Sequence, residues 1–151
     1  MKKHPSLVIG AFLLAVHASA GAAGSAYFTE PVLPSLQKVS AALDARAYRL
    51  DAARYVYEAY AARIFKGRLP PLIHAIVVVE TTVDAAGRTK DVRVVRGPSH
   101  APDVTQAVVE MIRRVSPLPA PSNAVGFKFT EIWLVTKDGR FQLDALTEGQ
   151  D

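Results

Sequence analysis

Apolar positions run almost without a break through the middle of the chain and then begin to alternate, and that change of pattern marks a hairpin. Ile73, Ala75, Ile76, Val77, Val78, Val79 and Val83 are mostly β-branched, too few to span a membrane, and preceded by Pro70 and Pro71, which disfavour a helix running through them. They predict a central strand. Asp84-Ala85-Ala86-Gly87 follows as a four-residue loop, in which the aspartate can bond its own backbone and the glycine can take a positive φ. In the next strand, residues 88–96, Val92 and Val94 alternate with Asp91 and Arg93, which predicts one buried and one wet side.

Upstream, Leu43, Leu50, Tyr57 and Ile64 recur every seven residues, and Ala47, Ala53 and Tyr60 fill the same stripe. This spacing predicts a long amphipathic helix over residues 40–67. Tyr48, Tyr55, Tyr57 and Tyr60 are expected to pack against a sheet, with their polar tips at the core edge. Downstream, Asp103 is a candidate cap for a second helix reaching about Ser116, with Val104, Ala107, Val108, Met111, Ile112 and Val115 on its apolar face. Arg113 and Arg114 suit the negative end of its dipole, and Pro117, Pro119 and Pro121 stop it. A third strand is expected over residues 127–136 and a fourth over 141–146, joined by Lys137-Asp138-Gly139. The order predicts an α+β fold, with a small antiparallel sheet of three to four strands packed against a long N-terminal helix and a second, shorter helix.

Composition narrows the setting. A chain of 151 residues, 50% hydrophobic and 21% charged, has room for one core. Lys2 and Lys3, the apolar run 7–16, and the small residues Ala18-Ser19-Ala20 or Ala20-Gly21-Ala22 have the order of an export signal peptide over residues 1–23. An uncleaved membrane anchor is the alternative, since no charge stands between Lys3 and Glu30. Residues 24–39, with Pro31 and Pro34, are expected to be a linker, residues 40–147 the folded domain and residues 148–151 a tail. Cleavage would remove two of the 18 basic residues and none of the 14 acidic ones, lowering the formal charge from +4 to +2. A nucleic-acid partner thereby loses its electrostatic support.

Candidate chemistry is sparse. Ser99, His100 and Asp103 are the residue types of a hydrolase triad, but one short Pro-rich loop rarely aligns three such groups in relay. His74 and His100 with Glu80 or Asp103 lack helix-spaced metal-ligand patterns, and isolated surface histidines are expected instead. The glycines stand singly, without a phosphate-binding pattern. Arg88, Lys90, Arg93 and Arg96 suit the solvated charges of an edge strand. Neither a catalytic residue, a cofactor nor a metal is expected.

With these elements placed, the stretch 57–136 resembles the C-terminal domain of the TonB family of energy transducers and its TolA-like relatives. The resemblance is carried by Tyr60 and Ile64 before Pro70-Pro71, by the strand 77–83, and by Asp84-x-x-Gly87 followed by Lys90-Asp91-Val92-Arg93-Val94. It continues in residues 103–114 followed by Pro117-Leu118-Pro119. It covers a little over half the chain, and it departs from the family pattern at Thr89 and in Gly97-Pro98-Ser99-His100. It implies a periplasmic, non-enzymatic module that binds an outer-membrane TonB-dependent receptor by strand addition, coupled to inner-membrane motor proteins if the N-terminus is retained. The family's accepting edge is the third strand, which makes Phe127, Phe129, Glu131 and Trp133 the implied partner-binding residues. Such transducers carry a retained anchor and a long Pro-rich spacer, whereas residues 24–36 reach at most roughly 45 Å. A periplasmic interaction domain without motor coupling is therefore the alternative. Residues 140–151 either occlude the accepting edge or complete the sheet.

Overall fold

The computed structural model describes Tyr27 and residues 29–150, so the expected export segment lies outside the described residues. Where the first helix starts is decided by Asp44, whose extended backbone (φ −142°, ψ 168°) and carboxylate, accepting the Ala47 N–H at 2.8 Å, cap helix α1 (Ala45–Ala59). The expected start at residue 40 gives way because Ser40 is committed elsewhere: its N–H donates to the Ala120 carbonyl at 2.9 Å, while the Ala120 N–H donates to that of Lys38 at 2.8 Å. Helix α1 ends at Ala59, and a 3-10 turn, Ala61–Arg63, follows. The helix is thus 15 residues long, well short of 40–67.

Its buried face is Tyr48, Ala52, Ala53, Tyr55, Val56 and Ala59. Leu43, expected to anchor the apolar stripe, precedes the helix and is 91% exposed, and Leu50 is only half-buried. The stripe is rotated because alanines allow close approach to the sheet and tyrosines supply the buried area, so counting leucines picks the wrong side.

Strands β1 (Ala75–Val83) and β2 (Thr89–Arg96) form the expected hairpin. The Asp84 carboxylate accepts the N–H groups of Ala86 and Arg88 at 2.9 and 3.0 Å, and Gly87 takes φ 76°. Strand β2 departs from the expected alternation, because its register slips near both ends and leaves Val94 and Val95 exposed while Val92 alone packs toward the core. Helix α2 (Pro102–Arg114) starts one residue before the expected cap: Ala101 stands at the cap without a side-chain bond and Asp103 lies in the first turn. Its expected apolar face is buried in full. Strands β3 (Phe127–Val135) and β4 (Phe141–Leu143) complete the sheet, and β4 stops halfway through its expected span, at a 3-10 turn over Asp144–Leu146.

Among the described residues, then, two α-helices and one antiparallel sheet of order β2-β1-β3-β4 make an α+β fold. Strand β1 pairs with β3 along its whole length, from Ala75 opposite Val135 to Val83 opposite Phe127. Odd-numbered side chains of both strands face the helices, where Trp133, Tyr48, Tyr60, Phe141 and Leu118 fill the core. Tyr48 packs on Phe127 and Phe129 at ring separations of 4.9 and 5.5 Å, and Trp133 on Phe141 at 4.6 Å. The hydroxyls are used too: Tyr48 donates to the Pro119 carbonyl and Tyr60 to that of Met111, each at 2.8 Å, and Tyr57 accepts the Leu143 N–H at 3.1 Å. Burial pushes the phenols of Tyr48 and Tyr60 well above their ordinary value. No helix among the described residues is long and apolar enough to cross a membrane.

At Gly87 a Cβ would run into the Leu118 carbonyl oxygen, besides facing the left-handed backbone. Gly87→Val is expected to lose about 3 kcal/mol from strain and overpacking together, lowering the melting midpoint by roughly 10 °C. Ala85→Ser, at the exposed tip, should shift it hardly at all, and thermal melts followed by circular dichroism compare the two.

Candidate functional site

The Thr136 N–H donates across the hairpin to the Arg140 carbonyl at 2.8 Å. Because backbone groups on a strand alternate in direction, Leu134, Ile132, Thr130 and Lys128 turn theirs the same way, outward from β1. Strand β4 meets only Trp133, Leu134 and Val135. The Ile132 N–H is covered by the Glu131 carboxylate at 2.8 Å. Lys128 and Thr130, both exposed, have no strand beside them, so the rim of β3 is open there.

Phe127, Phe129, Glu131 and Trp133 do not line that rim. Their side chains lie on the helix-facing side of β3, Phe127 and Phe129 against Tyr48, Trp133 2% exposed and Glu131 5% exposed. The alternation that identifies an edge strand's apolar set also turns that set inward, so Lys128 and Thr130 supply the side chains along the open stretch.

Glu131 anchors a cluster that sequence reasoning missed. Arg49 of α1 grips it with Nε at 3.2 Å and Nη2 at 2.6 Å, and the same Nη2 reaches Asp144 at 2.8 Å. The Ala145 N–H donates to Glu131 as well, at 3.3 Å. The hydrogen bonding of Arg49 to Glu131 is foremost in raising the guanidinium above its ordinary value. A signal was present: one acid among Phe127, Phe129, Trp133 and Val135 on a single strand face requires a cation from the packed helix.

Beyond β3 the C-terminal strand is held from its far side. The Phe65 N–H donates to the Phe141 carbonyl at 2.9 Å. Buried Gln142 donates to the carbonyls of Phe65 and Gly67 at 2.9 and 2.6 Å and accepts from the Thr147 hydroxyl and Glu148 N–H at 3.0 and 3.1 Å. The expected tail is packed as well, Gln150 donating to the carbonyls of Pro70 and Pro71 at 2.9 and 2.7 Å. Strand β4 completes the sheet and leaves the open part of β3 uncovered.

The opposite rim is shielded at its start, where the Leu118 N–H donates to the Gly87 carbonyl at 2.9 Å and the Thr89 N–H to Ser116 Oγ at 3.0 Å. Of the basic residues nominated for this strand, Arg88 pairs with Asp84 at 2.9 Å and Arg93 with Glu80 at 3.0 Å. The hydrogen bond from Arg93 leads in holding the Glu80 carboxyl below its ordinary value. His74 and His100, expected to stand alone, are neighbours, with rings 5.6 Å apart and edge to face. His100 Nε2 bonds to the His74 carbonyl oxygen at 2.8 Å, and Tyr27 Oη lies 3.2 Å from His74 Nε2. Among the described residues no three acid, histidine or cysteine side chains gather as a metal site. The apolar space beneath the helices, lined by Ala52, Val56, Ile112 and Leu118, has a volume of only about 20 Å³.

No family model, curated protein or solved structure matches this chain. The functional reading therefore rests on the site.

Two outcomes are expected of these contacts. Arg49→Met leaves Glu131 buried without its cation and should cost about 3 kcal/mol, whereas Arg49→Met with Glu131→Leu should recover most of it, measured by urea denaturation of the two variants. The Thr136 hydroxyl, at 2.5 Å, and then Arg140 depress the Asp138 carboxyl to about 2 from an ordinary 3.8. A group depressed on folding stabilises above its unfolded value, and that stabilisation is lost as pH falls through the folded one, here between about pH 4 and pH 2. Its side chain is 51% exposed, so screening keeps the effect below about 1 kcal/mol. Asp138→Asn should flatten the stability profile in that window and leave it unchanged near neutrality.

Proposed function

We propose that this chain is a periplasmic, non-enzymatic protein-interaction module of the TonB C-terminal type, which takes an extended segment of an outer-membrane receptor as an added strand at the open rim of β3. The observation that carries this reading is the open backbone of Lys128 and Thr130 beside a fourth strand that covers only Trp133–Val135. Backbone groups on such a rim supply affinity with little demand on partner sequence.

A second reading, an interaction domain without coupling to a membrane motor, is favoured by the packing of the segment before α1. The Val32 N–H donates to the Ala59 carbonyl at 2.8 Å, and Ser40 is bridged to Ala120 and hydrogen-bonded to Asp51 at 2.7 Å. Residues 32–44 are thereby bound to the domain, which leaves little of the expected linker to act as a spacer.

Thr130→Pro separates binding from folding, because it removes an outward N–H that no strand of the sheet uses. On an array of synthetic peptides from the exposed N-terminal segments of the host's outer-membrane receptors, this variant should lose at least tenfold in affinity while keeping its melting midpoint within a few degrees. Val94→Pro, on the opposite rim, should bind as the parent does. Equal binding by all three proteins would remove the β3 rim from consideration.

A further inference from the structure

The ladder between β1 and β2 ends at Val78 opposite Arg96. Val78, Glu80 and Thr82 turn their backbone groups toward β2, so His74 and Ile76, in phase with them, turn theirs to the same side. There the neighbouring chain has already left the sheet as Gly97-Pro98, and a proline has no N–H to offer. The His74 carbonyl is satisfied by His100 at 2.8 Å, but no strand stands opposite Ile76, which is 45% exposed. In that place lies an open groove of about 400 Å³ lined by His74, Ile76, Arg96, Ser99 and His100, with no acidic residue in its wall. Arg96 is exposed and makes no ion pair among the described residues.

We propose that this groove binds the C-terminal carboxylate of an extended peptide, whose last residue pairs with the backbone of Ile76 and whose carboxylate lies against Arg96. The sheet limits how far a ligand can pair there. Any strand added beside Ile76 and running toward Val78 meets the end of β2, which already occupies the next position, so its pairing with β1 stops at Ile76 and a chain end fits without a turn. A free C-terminus stops there with the charge that Arg96 complements; an N-terminal ammonium would bring cation against cation. The histidine ring and serine hydroxyl of the groove supply further polar partners for an anion. The site does not involve the β3 rim, and it stands or falls independently of the receptor reading.

The test uses the full chain and a fluorescein-labelled peptide ending Thr-Val-Thr-Val, as the free acid and as the C-terminal amide, in fluorescence polarisation. The acid is expected to bind at least tenfold more tightly than the amide. Arg96→Gln should erase that difference, whereas Thr130→Pro should preserve it. Circular dichroism confirms that Arg96→Gln is folded, as an exposed side chain without an ion pair predicts. Acetate and phosphate serve as competitors, to separate a bound chain end from a free anion. Equal affinity for acid and amide, indifference to Arg96→Gln, or displacement by acetate at the peptide's own half-saturating concentration would each overturn the proposal.

Discussion

The backbone groups along the rim of a sheet must each find a partner or meet water, and in this small domain that requirement shapes nearly every segment outside the regular elements. Phe65 bonds to the far side of β4, Ser116 and Leu118 shield the beginning of β2, and the Glu131 carboxylate covers Ile132 and Ala145. His100 does the same for the carbonyl of His74. Each uses a loop or a side chain where a longer strand would otherwise be needed. Among the described residues, no strand stands beside Lys128 and Thr130 of β3, beside the outer rim of β2 beyond Thr89, or beside Ile76.

The first helix is fastened in a complementary way. Tyr48, Tyr57 and Tyr60 bury their rings against the sheet or the second helix, and their hydroxyls then bond to Pro119, Leu143 and Met111, three separate parts of the later chain. Each ring supplies apolar area and each hydroxyl a fixed address, so the helix is held in rotation as well as in position. Arg49 adds a charged tie from the same helix to β3 and the turn after β4, and Glu131 lies deep enough that removing Arg49 strands it. A tyrosine-rich face does here what leucines do in many helix-on-sheet pairs.

How much of this was readable beforehand depended on whether the deciding interaction was local. The β1–β2 hairpin followed from Asp84 and Gly87, and the face of α2 from Val104 to Val115, because turn chemistry and helical spacing act over a few residues. The start of α1 was misplaced by five residues, since Ser40 is drawn out of helix by Ala120, a partner no local pattern reveals. The shortness of β4 had a similar origin, its continuation being replaced by a turn that carries Asp144 to Arg49. The residues of β3 that the resemblance implies for binding lie on the strand's inner face, away from its rim, because the rim is a property of sheet order and of what covers it. The groove beside Ile76 was equally hidden, as it exists only because Pro98 ends one strand before the next has finished.

The pairing of β1 with β3 has a consequence for the order of events in folding. The central strand cannot complete its ladder until the chain has passed through β2, all of α2 and the proline-rich stretch beyond it, and the first helix finds its last hydroxyl partner only at Leu143. So many distant pairings give the domain a high contact order, which slows the closing of the core. The first hairpin and the second helix can form as soon as they are made, but a chain emerging from synthesis holds them as separate fragments, its core unsealed until Leu143 has arrived.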